Sequence, residues 1–416
     1  MTTNNKQLEF SEKQLEYILN AKRLINIKVG ATRCGKTHLD ISYTIASRII
    51  ERRGKKGLAF ILGVSKGTIE RNVLEPMREF WGEKLIGFIN SENTAVIFGE
   101  KVYCLGTEKA SQVAKLRGAE AKYIYWDEIC EANEEVFELA KSRLSLEYSI
   151  MDATGNPKDQ NHFIKKFIDK QGLDVYVQNW TIFDNPFLPK RFVNELCKLY
   201  QGTIFYNRYI LGEWCRAEGA IYRIFNDKTK NFLIDEIPND LTAVRVGIDF
   251  GGNKSAHAFV AVGYSNHFKD VIAFDEEIIK EALTPNDLTN AYVKFAQRVY
   301  NKYRHPFETY FDNAEPVLAR GIAEAVVKYQ IPTILKGALK ISILDRIRLT
   351  TTLMGTYRLK IMKKCTTLIK ALQDAVWDDK AKGDVRLDNN TYCVDILDAF
   401  EYCIERDMKV LMHITQ

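Results

Sequence analysis

"VGATRCGKTHLD", residues 29–40, fits GxxxxGK[ST], with Gly30, Gly35, Lys36 and Thr37 at the fixed positions. The spacing has a physical cause. Glycines let backbone N–H groups wrap a row of phosphates, the lysine reaches the β- and γ-oxygens, and the threonine hydroxyl ligates Mg²⁺. The flanks agree: "LINIKV" (24–29) is a short apolar strand, and "THLDISYTIASRIIERR" (37–53) carries apolar residues at helical spacing. Strand, glycine loop and helix in that order predict a nucleotide site, and leave open what the energy of hydrolysis drives.

A hydrolytic phosphate loop needs a carboxylate at the end of a buried strand to support Mg²⁺. "KYIYWDEICEA" (122–132) supplies one: Tyr123 to Trp126 form the strand, Asp127 would support the metal, and Glu128 would polarise the attacking water. Between the two motifs, "GLAFILGV" (57–64), "AVIF" (95–98) and "KVYCLG" (101–106) read as strands and "KGTIERNVLEPMREFWG" (66–82) as a helix. That alternation predicts a mostly parallel α/β sheet. In "AKLRGAEA" (114–121), Arg117 sits beside a glycine in a loop. Its spacing fits a surface arginine, and equally one that stabilises charge on a γ-phosphate, in cis or from a neighbouring subunit. In "YSIMDATGNPKDQNHF" (148–163) a strand ends in Thr154, Gly155, Asn156 and Pro157. A polar turn at that sheet edge can sense a γ-phosphate, although any α/β loop favours the same residues.

At 416 residues the chain is long enough for two or three domains with separate cores. No run of 18 apolar residues occurs, and "MTTNNKQLEF" lacks the basic-then-apolar pattern of a secretory signal, so a cytosolic, non-membrane protein is expected. The eight cysteines form no CxxC pair and the histidines no HxxxH, which argues against a zinc or disulfide framework. Net charge is only +5, from 59 basic and 54 acidic residues, and by itself says nothing about nucleic acid. Its distribution says more. Lys336, Lys340, Arg346, Arg348, Lys363 and Lys364 belong to a basic run between 336 and 370 in which Asp345 is the single acid. Such a run is ordinarily a solvated face; here its neighbours suggest that it lines a DNA backbone.

Those neighbours are separated aspartates. "AVRVGIDFGG" (243–252) alternates apolar residues and places Asp249 near a strand's end. "SAHAFVAVGYSN" and "DVIAFDEEII" then read as two further antiparallel strands, and "ETYFDNAEP" (308–316) as a fourth ending in Asp312. In "YCVDILDAFEYCIERD" (392–407) a helix puts Asp395 and Asp398 on one face with Tyr402, while Val394, Leu397 and Ile404 pack inward. Strands first, with acids on strands one and four and on a late helix, is the order of an RNase H-like fold. Gathered in space, such carboxylates would hold two divalent cations and cut phosphodiesters by in-line attack.

Joined, the two halves resemble the large terminase subunit of tailed bacteriophages, the motor that packages and cuts viral DNA. "GATRCGKT" resembles that family's phosphate loop, which often carries an extra arginine, here Arg33; Cys34 stands where many members have serine or alanine. At a helix N-terminus the Cys34 thiol is expected to be reactive and to be protected by ATP. "FSEKQLEYI" (10–18) is similar to the adenine-recognition segment and points to Gln14. "YIYWDE" matches the strand with the catalytic glutamate at Glu128, "LRG" makes Arg117 a candidate trans-acting finger, and "ATGNP" resembles the coupling motif, with Thr154 and Asn156. "TIFDNPFLP" and "YILGEWCRAEGAIYRIF" are similar to the family's interdomain linker, and "LKISILDRIR" (339–348) to a segment approaching the nuclease centre. The nuclease triad carries over as Asp249, Asp312 and Asp398, with Asp395 either a metal ligand or a support for Asp398.

The resemblance implies an N-terminal ASCE-type P-loop ATPase domain at 1–178, a linker or lid at 179–240 and an RNase H-like nuclease domain at 241–416. It implies ATP with Mg²⁺ in the first, two Mg²⁺ or Mn²⁺ in the last, and Thr37, Asp127, Asp249, Asp312, Asp395 and Asp398 as the metal-facing residues. The partners implied are double-stranded DNA, the portal protein, a small terminase subunit and a homo-oligomeric ring of five copies. The place implied is the host cytoplasm, transiently on the procapsid. Two rivals remain: an ATP-dependent helicase or repair translocase with an inactive C-terminal domain, and a DNA-binding scaffold with a vestigial nucleotide site.

Overall fold

The computed structural model describes residues 9–108, 110–251, 256–281, 283–312, 315–381, 383–388 and 394–412. They form two compact units. The first runs to Cys197 and includes Ile204–Arg216; the second comprises Lys198–Thr203 and the chain from Ala217.

The first unit is a seven-stranded sheet of β1 (Ile25–Gly30), β2 (Leu58–Gly63), β3 (Thr94–Ile97), β4 (Glu100–Gly106), β5 (Ala121–Trp126), β6 (Ile150–Gly155) and β7 (Val175–Trp180). Their spatial order is β3-β4-β2-β5-β6-β1-β7. Every neighbouring pair is parallel except β3 with β4. Side chains alternate across each strand, so Phe60, Leu62, Ile124, Trp126 and Met151 enter one core and Ala59, Ile61, Tyr123, Tyr125 and Ile150 the other. A parallel sheet covered on both faces must be apolar on both, which is why these strands read as continuous apolar runs. The helix after the phosphate loop is continuous in sequence but turns through a π segment at Asp40–Thr44 between Lys36–Leu39 and Ile45–Arg52. The helix expected at 66–82 likewise runs through a π segment, at Glu70–Leu74.

The second unit holds seven strands: β8 (Leu233–Ile234), β9 (Ala243–Asp249), β10 (His257–Tyr264), β11 (Val271–Ile279), β12 (Phe307–Phe311), β13 (Thr333–Gly337) and β14 (Leu359–Met362). The order is β13-β12-β9-β10-β11-β14-β8. The expected meander is present, β10 pairing antiparallel with both β9 and β11, while β12 runs parallel to β9. One face packs on the long helix Pro285–Tyr303 through Leu288, Tyr292, Phe295 and Val299. The helix Val394–Ile404 lies against β9 and β10, with Leu397, Phe400 and Ile404 fully buried. Gly247 makes this approach possible, since a Cβ there would run into the Ala399 carbonyl.

The stretch 179–240, expected as a separate linker, is divided between the units. Ile182 N donates to Ile210 O within the first, and Leu233–Ile234 pairs with β14 at the edge of the second. Its apolar residues have cores to complete; Ile182, Ile210, Phe225 and Phe232 are fully buried. Among the described residues no helix is long and apolar enough to cross a membrane.

Candidate active sites

In the first unit β1, β5 and β6 end at one edge of the sheet, Lys28 lying beside Thr154 and Trp126 beside Ala153. Crevices at that edge of a parallel sheet are where ligands bind. Here a cavity of about 430 Å³ is lined by Thr32 to His38, Asp127, Glu128, Thr154, Gly155, Asn156, Asn185 and Leu188. The loop is shaped by backbone that few residues tolerate: Gly35 has φ +97° and Arg33 φ +58°. Gly30 packs so closely on the Trp180 backbone that a Cβ would collide with its carbonyl oxygen.

Lys36 is buried and its Nζ donates to Gly30 O at 2.9 Å, Ala31 O at 2.6 Å and Asn156 Oδ1 at 3.3 Å, with Cys34 Sγ also 3.3 Å away. Asp127 accepts from Thr154 Oγ1 at 3.2 Å. Burial, and then the neighbouring Glu128, push the Asp127 carboxyl up to about 7. Glu128 is half-buried in a left-handed conformation, φ +55° and ψ +52°, and burial raises its carboxyl as well. All-oxygen donors from Thr37 and Asp127 suit a hard divalent cation.

Beneath the loop lies a second layer of charge. Lys28 Nζ and Asp40 Oδ1 are 2.7 Å apart with both side chains fully buried, and Tyr125 donates to Asp40 Oδ2 at 3.2 Å. Burial raises the Asp40 carboxyl while Lys28 opposes it. Tyr17 and Arg48 share Asp152 at 2.9 and 3.0 Å.

Gln14 belongs to the loop's support: its Nε2 donates to Gly35 O at 3.1 Å while its Oε1 accepts from Ser11 N at 2.9 Å in a capping box. Arg33 is exposed, its guanidinium 5.1 Å from the Phe192 ring centre. Arg117 is exposed on the turn after Ala110–Leu116 and does not line the cavity. Cys34 lines the cavity but is only 1% exposed, with Lys36 Nζ 3.3 Å from its Sγ, which limits the access that the expected reactivity requires. Asn185 was not singled out from the sequence, yet its Nδ2 donates to Arg33 O at 2.8 Å and it lines the cavity. Its DNP turn reads as linker in the sequence because its contact with the loop spans 152 residues of chain.

In the second unit Asp249 closes β9, Asp312 follows β12, and Asp395 and Asp398 lie on the helix Val394–Ile404. Burial, then Asp398, Asp395 and Asp312 in that order, raise the Asp249 carboxyl to about 8, so the four carboxylates share one neighbourhood. Tyr402 donates to Asp249 Oδ1 at 3.4 Å, and Asp395 Oδ2 accepts from Ala256 N at 2.8 Å. The donor set is carboxylate oxygen throughout and fits Mg²⁺ or Mn²⁺. Even so, among the described residues no three acidic, His or Cys side chains converge closely enough to hold a metal ion. Basic side chains pair with two of them: Lys340 with Asp312 at 2.5 Å, and Arg386 with Asp398 at 2.5 Å.

The basic run is a correction in part. Arg346 is 5% exposed, enclosed by Asp398, Glu401 and Glu405 at 3.5, 3.7 and 3.5 Å, so it is a core charge and not a phosphate contact. The acids that neutralise it come from residues 398–405, outside the window in which the run looked unopposed. Lys336 pairs with Glu308, Arg348 with Asp345, Lys363 with Asp235 and Lys364 with Asp275. Lys363 and Lys364 are the most exposed of these cations, at 57% and 53%.

A cavity at the edge of a mostly parallel sheet in one unit and a group of aspartates on a mixed sheet in the other define a two-unit α/β protein. Residues 27–229 match the family model described as terminase large subunit, T4likevirus-type, N-terminal. The structure of the large terminase from a thermophilic bacteriophage (crystal form 2) aligns with a TM-score of 0.81 at 22% identity, covering 96% of this chain and 99% of that one. The same phage's terminase in complex with ADP gives 0.77 at 22% identity, over 94% of this chain and 98% of that one. In complex with ATP-gamma-S it gives 0.76 at 22% identity, over 95% and 98%. No curated protein matches the chain. The family model covers residues 27–229, just under half of the chain, and the fold of a large terminase is shared over nearly the whole length.

Proposed function

We propose that this chain is the ATP-driven motor and nuclease of phage DNA packaging, moving double-stranded DNA into a procapsid and cutting concatemeric DNA. The observation that carries the reading is Lys36, Asp127, Glu128, Thr154 and Asn156 around one cavity, in a chain whose other unit gathers four aspartates about β9. The large terminase of the thermophilic phage, whose fold it shares, is described in complex with ADP and with ATP-gamma-S, which supports ATP as the ligand here. The strand order β13-β12-β9-β10-β11 with the acidic helix behind β9 supports an RNase H-like second unit.

In this reading the loop amides and Lys36 hold the β- and γ-phosphates, Thr37 and Asp127 face Mg²⁺, and Glu128 takes the proton of the attacking water. Thr154 and Asn156 couple the two halves of the site, Gln14 and Arg33 flank it, and Arg117 reaches a neighbouring copy's nucleotide in a ring of five. Asp249, Asp312 and Asp398, with Asp395 as ligand or support, would hold two Mg²⁺ or Mn²⁺ beside the scissile phosphate. When bound, those ions supply Lewis-acid stabilisation of the phosphoryl oxygens. Lys336, Lys363 and Lys364 track the DNA backbone. The portal protein and a small terminase subunit are the partners, on a procapsid in the host cytoplasm.

The test uses the full chain. DNA-stimulated ATP turnover lost in Glu128→Gln, together with Mn²⁺-dependent plasmid cleavage lost in Asp249→Asn, is the expected pair of results. Turnover without cleavage by a folded chain would turn the reading to a translocase with an inactive second unit.

A further inference from the structure

Asp312 Oδ1 lies 2.5 Å from Lys340 Nζ. The loop that presents this lysine is tied down almost residue by residue. Ala338 N donates to Phe311 O at 2.8 Å, and the backbone N–H groups of Leu339, Lys340 and Ile341 all donate to the Glu405 carboxylate, at 2.5, 3.1 and 3.2 Å. Glu405 is buried and is held in turn by Arg346 Nε. Lys340 itself has φ +53°, a left-handed conformation that residues with a Cβ seldom adopt. Such a conformation on an anchored loop is maintained by its surroundings and not by local preference.

Asp398 also meets cations, but of a different kind. Its Oδ1 contacts Arg386 and Arg346, whose side chains are 1% and 6% exposed, whereas the Lys340 side chain is 43% exposed. The buried guanidinium groups have no water to retreat into and hold Asp398 in place. The lysine, a point charge on a flexible stem, can exchange its carboxylate for solvent.

We propose that Lys340 is an internal cation that occupies Asp312 in place of a divalent metal, so that loading of the acidic centre requires Lys340 to withdraw. This rests on the nuclease reading of Asp249, Asp312 and Asp398. An ammonium against Oδ1 competes with a metal ion for the same lone pairs, and two positive charges on one oxygen repel. Once withdrawn, the ammonium is available to a phosphodiester, the role expected of it from the basic run.

The test is Mn²⁺ binding to the full chain without nucleotide, read from the electron paramagnetic resonance signal of free Mn²⁺, with wild type, Lys340→Gln, Lys340→Arg and Asp249→Asn compared. Lys340→Gln should bind Mn²⁺ about fivefold more tightly, the scale of a half-exposed ion pair, and Lys340→Arg should remain near wild type. Asp249→Asn should remove that binding, and near-ultraviolet circular dichroism identical to wild type verifies that each variant is folded. Equal or weaker binding by Lys340→Gln, with Asp249→Asn still removing it, would overturn the lysine's role and leave the nuclease reading standing. If Asp249→Asn changes nothing, the aspartates form no metal centre and both readings fall.

Discussion

The side-chain amide of Asn156 accepts a hydrogen bond from Lys36 Nζ at 3.3 Å. Two residues earlier on the same strand end, Thr154 donates to Asp127. One short segment therefore touches both Lys36, the lysine proposed to bind phosphate, and Asp127, the carboxylate proposed to face the metal, which is the contact a coupling role would need. Replacing Asn156 by alanine should lower ATP turnover by roughly 3- to 30-fold, the range expected for a coupling residue. ADP affinity should change little, because the loop backbone is untouched. Steady-state hydrolysis and nucleotide-binding titrations check this; a loss confined to ADP affinity would mean that Asn156 only shapes the pocket.

Glu128 occupies the left-handed region directly after the buried carboxylate of Asp127. A strained residue beside a cavity is held there by its surroundings. Glu128→Gln keeps the shape and removes the proposed base, so turnover should fall by about 10²- to 10⁴-fold while ATP still binds. Single-turnover kinetics with labelled ATP would detect the difference. Retained turnover would transfer the role of base to another group.

Gly212 lies in the segment that resembles an interdomain linker, yet it is part of the floor of the phosphate loop. At φ +69° a Cβ would strike the Trp180 carbonyl and come within 2.9 Å of Gly30 Cα. Gly212→Ala should cost about 1–3 kcal/mol. Thermal melting should show the first unit weakened, and nucleotide affinity should drop with it, since Gly30 opens the loop. An unchanged melting profile would show that the backbone yields without consequence.

The legible parts of this chain were those with local signatures. Gly30 to Thr37 and the strand before Asp127 follow from spacing and apolar runs, and Asp249 and Asp312 could be placed at strand ends because alternation marks those ends. What escaped the sequence depends on distant segments meeting. Arg346 looked like a DNA contact because its acids, Asp398, Glu401 and Glu405, arrive from some fifty residues further on. Arg386 carried no signal, being a lone arginine whose partners are set by packing. Asn185 and Gly212 were hidden for the same reason: the segment that returns to the first unit reads as a connector until its contacts with Arg33 and Gly30 are seen.

The corrected role of Arg346 leads to a last prediction, which separates a buried charge from a DNA contact. Removing one partner of a buried ion cluster leaves uncompensated carboxylates in the core, so Arg346→Ala should destabilise the second unit by about 3–5 kcal/mol. Lys363 forms an exposed pair with Asp235 that contributes about 0–1 kcal/mol, and the buried Asp275 keeps Arg298 as a partner when Lys364 is removed, so the double alanine variant should melt close to wild type. DNA binding should reverse the ranking. A lysine on a phosphate contributes about one unit to the slope of log affinity against log salt, so Lys363→Ala with Lys364→Ala should flatten that slope while Arg346→Met, where folded, leaves it unchanged. Titrations of a labelled duplex across salt concentrations, beside thermal melts, decide the matter. A slope that falls in Arg346→Met and not in the double variant would return Arg346 to the DNA-facing surface and require its carboxylate cage to open on binding.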